Sequence, residues 1–342
     1  MRSRLWLCTV LATSLYFRGA AQAKTITHVK VMIVSMFAPE GAIWRSNRDL
    51  SRFNIIPGLR ADDPAVHCGR DDVCQITTGM GYANTSASIA ALIYSKRFDL
   101  RQTYWLVAGI AGIDPKRGTL GSAAWAHYIV DFGLQWELDA RDAPKEWPSG
   151  YLGINTKNPG ERPSLQYGTE VFKLDDRLLQ HALALSRNVS LSDSSEAQKA
   201  RAAYPSSPAN QPPTVTQCDT LSSDTWFSGA HLSERASVWV AQLTDGHAVA
   251  CTTQQEDNAT YEVLRRGAAA GLVDVRRVAV LRSASDFNQA PPGGNDADNL
   301  INYQAEGGFM PALTNLYRVG NPLVQEIVHH WPAWRNGVPS LD

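Results

Sequence analysis

The sequence has no surplus of charge of either sign and no run of basic residues. Its 342 residues include 32 Lys and Arg against 33 Asp and Glu, which gives a formal net charge of −1. Proteins that bind nucleic acid usually carry a clustered positive surface, so we expect no nucleic-acid partner. The apolar fraction of 44% and the charged fraction of 19% are ordinary for a globular protein.

Long apolar runs are also lacking after the N-terminus. The best candidate, 104–113, has about half of the roughly 20 residues that a membrane-spanning helix needs, so we expect no membrane-spanning segment after residue 24. At the N-terminus, two arginines precede an apolar stretch at 5–17, and a small-x-small sequence ends at Ala23. This pattern predicts a signal peptide at 1–23 and export to the periplasm or the outside of the cell.

Cysteine is scarce, with five residues in the chain, and Cys8 lies in the predicted signal peptide. An even number in the remainder of an exported chain favours disulfide bonds. The most economical pairing is Cys68 with Cys74 and Cys218 with Cys251, although four buried free thiols remain an alternative. The spacings do not resemble zinc sites, and no metal is expected.

Strands of buried type alternate with helices along the chain. The apolar patterns predict strands at 28–36, 73–78, 103–110, 249–253 and 276–281. They predict helices at 85–98, 175–187, 259–270, 297–305 and 322–330. This order is typical of one α/β domain, here residues 24–342, with a mostly parallel, partly curled sheet.

Four segments have weaker patterns. The stretch 42–60 favours a short helix and a loop, and 123–137 favours one long extended strand that curls. Proline and glycine predict a loop at 142–163. The Ser/Pro-rich stretch 188–213 is expected to be a mobile excursion of the same domain.

Polar residues that follow predicted strands are the candidates for chemistry, because open α/β sheets bind ligands at the carboxyl ends of their strands. The strand whose apolar run ends at Leu281 is predicted to end on the carboxylate of Asp286, although an Asx turn or a helix cap would also explain this residue. The turn at Gly79–Gly81 could hold an anion or a hydroxyl-rich ligand through backbone N–H groups, or could only reverse the chain. Glu256 and Asp257 follow another strand, where capping of the next helix is the alternative.

Six stretches, in this order, resemble the purine nucleoside permease family: KVMIVSMFAPE, QITTGMGYANTSASIAAL, WLVAGIAGIDP, SDTWFSG, TTQQEDNATYEVL and VLRSASD. That family is in turn similar to the nucleoside phosphorylases and the methylthioadenosine/S-adenosylhomocysteine nucleosidases. The resemblance implies a three-layer α/β/α sandwich around a mixed, partly barrel-like sheet. It also implies a purine nucleoside as ligand and no cofactor, with phosphate as a candidate co-substrate, and it is compatible with a homo-oligomer.

The resemblance further implies roles by position. Ser285 and Asp286 fall where the purine enzymes carry a Ser-Asp pair whose Asp contacts N7 of the base. Gln255 and Glu256 fall where a Met-Glu pair supplies the Glu that holds the ribose hydroxyls. Trp226 falls where an aromatic residue stacks on the base.

The N-terminal turn and the glycine-rich segments complete the predicted site. Glu40 is the nearest equivalent of the glutamate that activates water in the nucleosidases. Gly79, Gly81 and Gly109 are predicted to lie against the substrate.

The sequence departs from the phosphorylases at their phosphate-binding turn. Val107 stands where those enzymes carry an Arg, and Ile110 stands where they carry a hydroxyl. A phosphate dianion in a dry pocket needs charge-assisted donors, so the departure favours water as the nucleophile, or a rearranged phosphate site. Arg45, Arg48 and Arg282 are cations that could supply charge to such a site.

Cleavage of an N-glycosidic bond requires neutralisation of the departing base and stabilisation of a ribosyl cation, and two carboxyl groups in different environments suit these tasks. The leading hypothesis is therefore an exported enzyme that cleaves purine nucleosides by hydrolysis or phosphorolysis. The alternatives are a non-catalytic nucleoside-binding protein that supports uptake, and a secreted α/β domain whose site has decayed.

Overall fold

The computed structural model describes residues 27–341, so the predicted signal peptide at 1–23 lies outside the described residues. Within this range the chain forms sixteen strands and nine α-helices. The strands β1 to β16 are Thr27–His28, Val31–Ser35, Arg52–Ile55, Ala65–Cys68, Val73–Thr77, Phe98–Asp99, Tyr104–Ile113, Ala123–Trp125, Tyr128–Asp131, Gln135–Glu137, Tyr151–Gly153, Val171–Lys173, Val215–Gln217, Asp219–Ser222, Ala250–Gln254 and Val278–Phe287. The helices α1 to α9 are Ala38–Asn47, Tyr82–Tyr94, Asp176–Ser186, Ser195–Arg201, Ala230–Leu243, Asp257–Ala269, Asp296–Ile301, Phe309–His329 and Trp331–Trp334.

Twelve of the strands form one mixed sheet, in the order β12-β9-β14-β15-β7-β2-β5-β4-β3, with β16 paired to β7 and β8, and β13 paired to β8. The long strand β7 is the centre of this sheet. It pairs with β2 through 104–107, with β15 through 112–113, and with β16 along its length. Because one strand has three partners and β16 continues to β8, the sheet curls, as the resemblance implied.

The two faces of the sheet are covered by different helices, which gives the expected three layers. In β2, Met32 and Val34 pack in a core with α2 and α6, whereas Val31 and Ile33 pack in a second core with α1, α3 and α8. A strand buried on both faces needs apolar side chains at every position. This requirement explains the unbroken apolar run in the sequence.

The region after β2 differs from its prediction. Helix α1 begins at Ala38, earlier than expected, because Phe37 has the extended conformation of an N-cap and Pro39 occupies the first turn, where proline is favourable. The predicted loop contains β3, which pairs with β4 at the edge of the sheet. Phe53 and Ile55 alternate with polar residues along β3, but both are exposed, so this edge strand buries no apolar face.

The long strand predicted at 123–137 is instead three short strands, β8, β9 and β10. The break follows Trp125, where the carboxylate of Asp219 accepts hydrogen bonds from the backbone N–H groups of His127 and Tyr128. These N–H groups are therefore not available to a sheet partner. The predicted loop at 142–163 also contains β11, which pairs with β10.

The C-terminal helix α8 begins at Phe309 rather than at Pro322, which lies inside it. An internal proline removes one helical hydrogen bond. The buried apolar stripe that includes Leu316, Val319 and Leu323 extends through the proline and anchors the helix on the sheet. The predicted start of this helix at Pro322 was therefore wrong.

The Ser/Pro-rich segment 188–213 is packed against the protein and is not a free excursion. It contains α4, and Arg201 forms a two-bonded ion pair with Asp193, at 2.7 and 2.6 Å. The ring of Tyr204 lies 4.2 Å from that of Phe287, centroid to centroid. These contacts pack against the domain a segment whose composition predicted a mobile excursion.

Two disulfide bonds are present. Cys68 is bonded to Cys74 between β4 and β5, and Cys218 is bonded to Cys251 at the start of β15. Among residues 27–341, no helix combines the length and the hydrophobicity that spanning a bilayer requires.

Candidate active site

A cavity of about 260 Å³ opens at the carboxyl ends of β2, β7 and β16, beside the end of β15. Its wall has a polar part and an aromatic part. The charged and hydroxyl side chains that line it include Glu40, Glu256, Arg282, Ser285 and Asp286. The aromatic side chains that line it are Phe37, Phe132, Trp226, Phe227, Tyr303 and Phe309.

The Ser-Asp pair reaches the cavity through a β-bulge. Strand β16 runs to Phe287, one residue beyond the carboxylate on which it was predicted to end, and its register against β7 shifts between Ala284 and Asp286. Side chains of a regular strand alternate between faces, and a bulge breaks this alternation. Both Ser285 and Asp286 therefore line the same cavity.

The Asp286 carboxyl is almost completely buried, with 1% of the residue exposed. The Ser285 hydroxyl lies 2.6 Å from its Oδ2 atom and donates a hydrogen bond to it. Burial raises the pKa of Asp286 to about 7, and the bond from Ser285 opposes the rise. The carboxyl group can therefore hold a proton near neutral pH.

Glu40 lies in the first turn of α1, also lines the cavity, and is 1% exposed. Its two oxygens accept hydrogen bonds from the backbone N–H groups of Met36 and Ile110, each at 2.7 Å. Burial raises the pKa of Glu40 to about 7, while the Arg282 charge and the two N–H donors oppose the rise. Glu40 is therefore held in a fixed orientation and can exchange a proton near neutral pH.

Arg282 is the cation of the site and lies beneath it, 1% exposed. Its guanidinium donates to Asp257 at 2.5 and 3.2 Å, to Glu256 at 3.2 Å and to the Ile110 carbonyl at 3.0 Å. Burial disfavours the charged form, but Asp257 and Glu256 raise the pKa of Arg282 above its ordinary value. Arg282 therefore stays charged and joins the carboxylates of the site into one cluster.

Glu256 and Asp257 do not cap helix α6, which was the alternative explanation for them. Neither side chain accepts an N-cap hydrogen bond; instead, Oε1 of Gln254 accepts from the N–H groups of both residues, at 2.7 and 2.9 Å. Glu256 accepts from the Gly81 N–H at 3.2 Å. Burial raises the pKa of Glu256, and Arg282 opposes the rise.

The three predicted glycines lie behind the cavity wall and not in it. The Gly81 N–H orients Glu256, as above, and Gly79 packs against Arg60. Gly109 lies inside β7, where an added Cβ would lie 2.5 Å from Arg282 Nη1 and 2.9 Å from Glu40 Oε1. The absence of a side chain at Gly109 therefore allows these two charged groups to approach the strand.

Trp226 forms the outer wall with Tyr303. Trp226 is 40% exposed, and its ring lies 4.7 Å from that of Tyr303, centroid to centroid. Gln255 donates to the Asp224 carbonyl at 2.7 Å and so supports the loop that carries Trp226. Two aromatic rings from different segments therefore flank the opening.

The positions that bind phosphate in the phosphorylases are apolar in this site. Val107 is buried in the core shared with α2 and α6, and Ile110 lines the cavity with its apolar side chain. Arg45 and Arg48 form ion pairs with other carboxylates. Of the three arginines considered as donors, Arg282 alone is among the residues that line the cavity.

Sequence reasoning left Arg282 unplaced and missed Tyr303 and Phe309. A signal for Arg282 was present, since it precedes Asp286 by four residues in the same strand. Tyr303 and Phe309 could not be found in this way, because neither follows a predicted strand; they belong to a 3-10 turn and to the start of α8.

The sequence agrees with a known family model over nearly its whole length. The model for purine nucleoside permeases matches residues 28–339. The chain belongs to the purine nucleoside permease family.

Family members with curated names are clearly similar in sequence. A purine nucleoside permease of Candida albicans is 38% identical over 307 residues, which cover 88% of this chain and 75% of the relative. A probable purine nucleoside permease of Schizosaccharomyces pombe is 37% identical over 328 residues, which cover 92% of this chain and 94% of the relative.

Solved structures with a similar fold are nucleosidases and a hydrolase. The futalosine hydrolase of Helicobacter pylori superposes with a TM-score of 0.53 at 14% identity, covering 87% of this chain and 98% of the hydrolase. The 5′-methylthioadenosine/S-adenosylhomocysteine nucleosidase of Neisseria meningitidis superposes with a TM-score of 0.51 at 13% identity, covering 88% and 100%. At these identities the comparison establishes that this member of the permease family has the nucleosidase fold.

Proposed function

We propose that this permease family member hydrolyses the N-glycosidic bond of purine nucleosides. The observation that carries the proposal is the pair of buried carboxyl groups that line one cavity, Asp286 and Glu40, with pKa values raised to about 7. Glu40 is bonded to the N–H of Ile110, and Asp286 is aligned with Gly112. Both carboxyl groups therefore lie along the same stretch of β7 and line the same cavity.

Asp286 is the proposed general acid. In its neutral form it donates its proton to N7 of the purine as the bond to the sugar breaks, so that the base leaves as a neutral molecule. Ser285 orients the carboxyl group by its hydrogen bond to Oδ2, which leaves Oδ1 for the base. Trp226 packs on the face of the purine ring.

Glu40 and Glu256 are proposed to act on the sugar. Loss of the base leaves positive charge on the ribosyl group, which carboxylates stabilise in a buried site. Glu256 accepts hydrogen bonds from the ribose hydroxyls. Glu40, in its ionised form, removes a proton from the attacking water, so that one nucleoside and one water yield one base and one ribose.

The charges around Arg282 favour water over phosphate as the nucleophile. Its guanidinium is already bonded to Glu256 and Asp257, and Glu40 lies nearby. A phosphate dianion at this position would lie close to three carboxyl groups and to a cation, Arg282, whose charge is already balanced by carboxylates. The resulting repulsion is unfavourable in a buried site. The apolar residues Val107 and Ile110 offer no replacement donor from their side chains.

A second candidate is a non-catalytic nucleoside-binding protein that supports uptake. The relatives in fungi are named permeases, which favours this candidate. Both candidates share the same cavity and the same ligand class, and they differ in whether the bound nucleoside is cleaved.

Export is part of the proposal. Two arginines, an apolar stretch and a small-x-small sequence at residues 1–23 have the composition of a signal peptide. Expression of the full chain in a secreting host, followed by mass spectrometry of the protein from the medium or periplasm, should give a mature N-terminus at Lys24. Retention of the intact Met1 chain inside the cell would contradict export.

The cleavage proposal is tested by incubating the purified protein with inosine and adenosine in phosphate-free buffer and measuring free base by chromatography. Wild type should release base, and the Asp286→Asn variant should release it far more slowly. Tight binding of nucleoside by calorimetry without release of base would reject hydrolysis and favour the binding protein. Release that requires added phosphate would reject water as the nucleophile.

A further inference from the structure

Thr253 lines the cavity with a hydroxyl group that the proposed reaction does not use. Its Oγ1 atom is buried, and within residues 27–341 it has no hydrogen-bond partner. A buried hydroxyl without a partner is unfavourable, and most such groups in proteins are satisfied. The position of Thr253 in the cavity wall suggests that a ligand atom completes its bonding.

The sheet places Thr253 next to Asp286 across a glycine. Gly112 of β7 is aligned with Thr253 on β15 and with Asp286 on β16. An added Cβ at Gly112 would lie 2.7 Å from Thr253 Oγ1 and 3.1 Å from Asp286 Oδ1. Both oxygens therefore border the same small space next to Gly112, which is open because this residue has no side chain.

The amide side chains next to Thr253 in sequence already form hydrogen bonds within the protein, so the Thr253 hydroxyl is the candidate on this strand for a hydrogen bond to a ligand. The amide nitrogen of Gln254 donates to two hydroxyl groups, and its oxygen accepts from two backbone N–H groups. The amide nitrogen of Gln255 is bonded to the Asp224 carbonyl.

The chemistry of the purine identifies the atom that such a hydroxyl would meet. A base that accepts a proton from Asp286 at N7 has the C8 hydrogen on one side of N7 and the substituent at C6 on the other. The C8 hydrogen offers no strong hydrogen bond, whereas a 6-oxo group accepts one and a 6-amino group donates one. A hydroxyl can serve both partners, since it donates and accepts.

We propose that Thr253 is a specificity residue that hydrogen-bonds the C6 substituent of the purine beside Asp286. This inference rests on the proposed function for the orientation of the base. It assigns to the site a preference for 6-oxo and 6-amino purines over purines that carry only hydrogen at C6.

The competing explanation is internal. Oδ1 of Asn288 is also buried without a partner within the described residues, and its Cβ lies 3.7 Å from the same point above Gly112. A small rearrangement would pair Thr253 with Asn288. In that case Thr253→Val would lower the stability of the protein. It would also weaken the binding of all ligands equally, whatever group they carry at C6.

The test compares Thr253→Val with wild type on inosine, adenosine and purine riboside, which has hydrogen at C6. We expect kcat/KM to fall about 5-fold for the first two and to stay within about 2-fold for purine riboside, the effect of one neutral hydrogen bond. Thr253→Ser should restore the preference. Thr252→Val is the matched control, because Thr252 is buried in the same strand but is not among the residues that line the cavity.

Binding of hypoxanthine, adenine and unsubstituted purine by calorimetry repeats the comparison without turnover. If wild type cleaves no nucleoside but Thr253→Val weakens hypoxanthine and adenine selectively, the proposed function fails and this inference stands. Equal weakening of all three bases, no weakening of any, or no binding of any base to wild type would overturn the inference.

Discussion

Replacement of Asp286 by Asn separates catalysis from stability more sharply than any other change in the site. Asn keeps the shape of the side chain and can still accept the hydrogen bond from Ser285, but it cannot donate a proton as an acid. Loss of a general acid lowers turnover by about 10²- to 10⁴-fold. We expect a loss of this size in kcat for inosine.

The same variant should become more stable than wild type at alkaline pH. The pKa of Asp286 is raised from 3.8 to about 7 in the folded protein, so between these values the folded state binds more protons than the unfolded state. The free energy of unfolding of wild type therefore falls as pH rises through this window. At 1.36 kcal/mol per pKa unit, ionisation of Asp286 lowers the free energy of unfolding of wild type by ~4 kcal/mol above pH 7. The uncharged amide of the Asp286→Asn variant does not ionise, so the variant does not lose this stability.

Urea denaturation followed by tryptophan fluorescence at pH 4, 6 and 8 measures this difference. The gain of Asp286→Asn over wild type should be small at pH 4 and should grow toward pH 8. Asp114→Asn is the matched control, because Asp114 is also buried with a raised pKa but is not among the cavity-lining residues; it should keep full turnover. Parallel loss of stability and activity in Asp286→Asn would refute the catalytic assignment.

Three further predictions concern the remaining charged and aromatic groups. The kcat/KM for inosine should peak near pH 7, because Glu40 must be ionised and Asp286 protonated, and both pKa values are raised to about 7. A flat profile from pH 5 to 9 would contradict these roles. In the residual activity of Glu40→Gln, the fall in kcat/KM on the acidic side should disappear. Arg282→Met should lower the free energy of unfolding by about 3–5 kcal/mol, because it leaves buried carboxylates unpaired, as measured by urea denaturation at pH 7; unchanged stability would contradict the cluster. Trp226→Ala should raise KM several-fold with a smaller change in kcat, whereas Trp226→Phe should not; equal effects would argue against stacking.

The fold was predictable where both faces of a strand are buried. The unbroken apolar residues of 31–34 and the run at 104–110 follow directly from burial between two helical layers. Prediction was wrong where tertiary contacts override local sequence. Asp219 breaks the strand predicted at 123–137, and Tyr204 fixes a segment that composition alone describes as mobile.

The candidate site was predictable in its residues more than in its geometry. Asp286, Glu256 and Glu40 were found from their positions after strands and from the family resemblance. The bulge that turns Ser285 and Asp286 to one side depends on the register between β16 and β7, which no local pattern encodes. The Arg282 cluster likewise depends on three segments that meet only in the folded chain.

The identity of the sugar product tests the central claim most directly. Wild-type protein should be given inosine in phosphate buffer, and the products should be identified by ¹H NMR as the reaction proceeds. Hydrolysis at the Asp286–Glu40 site predicts hypoxanthine and free ribose in equal amounts. Ribose 1-phosphate would contradict water as the nucleophile, and unchanged inosine would contradict cleavage itself.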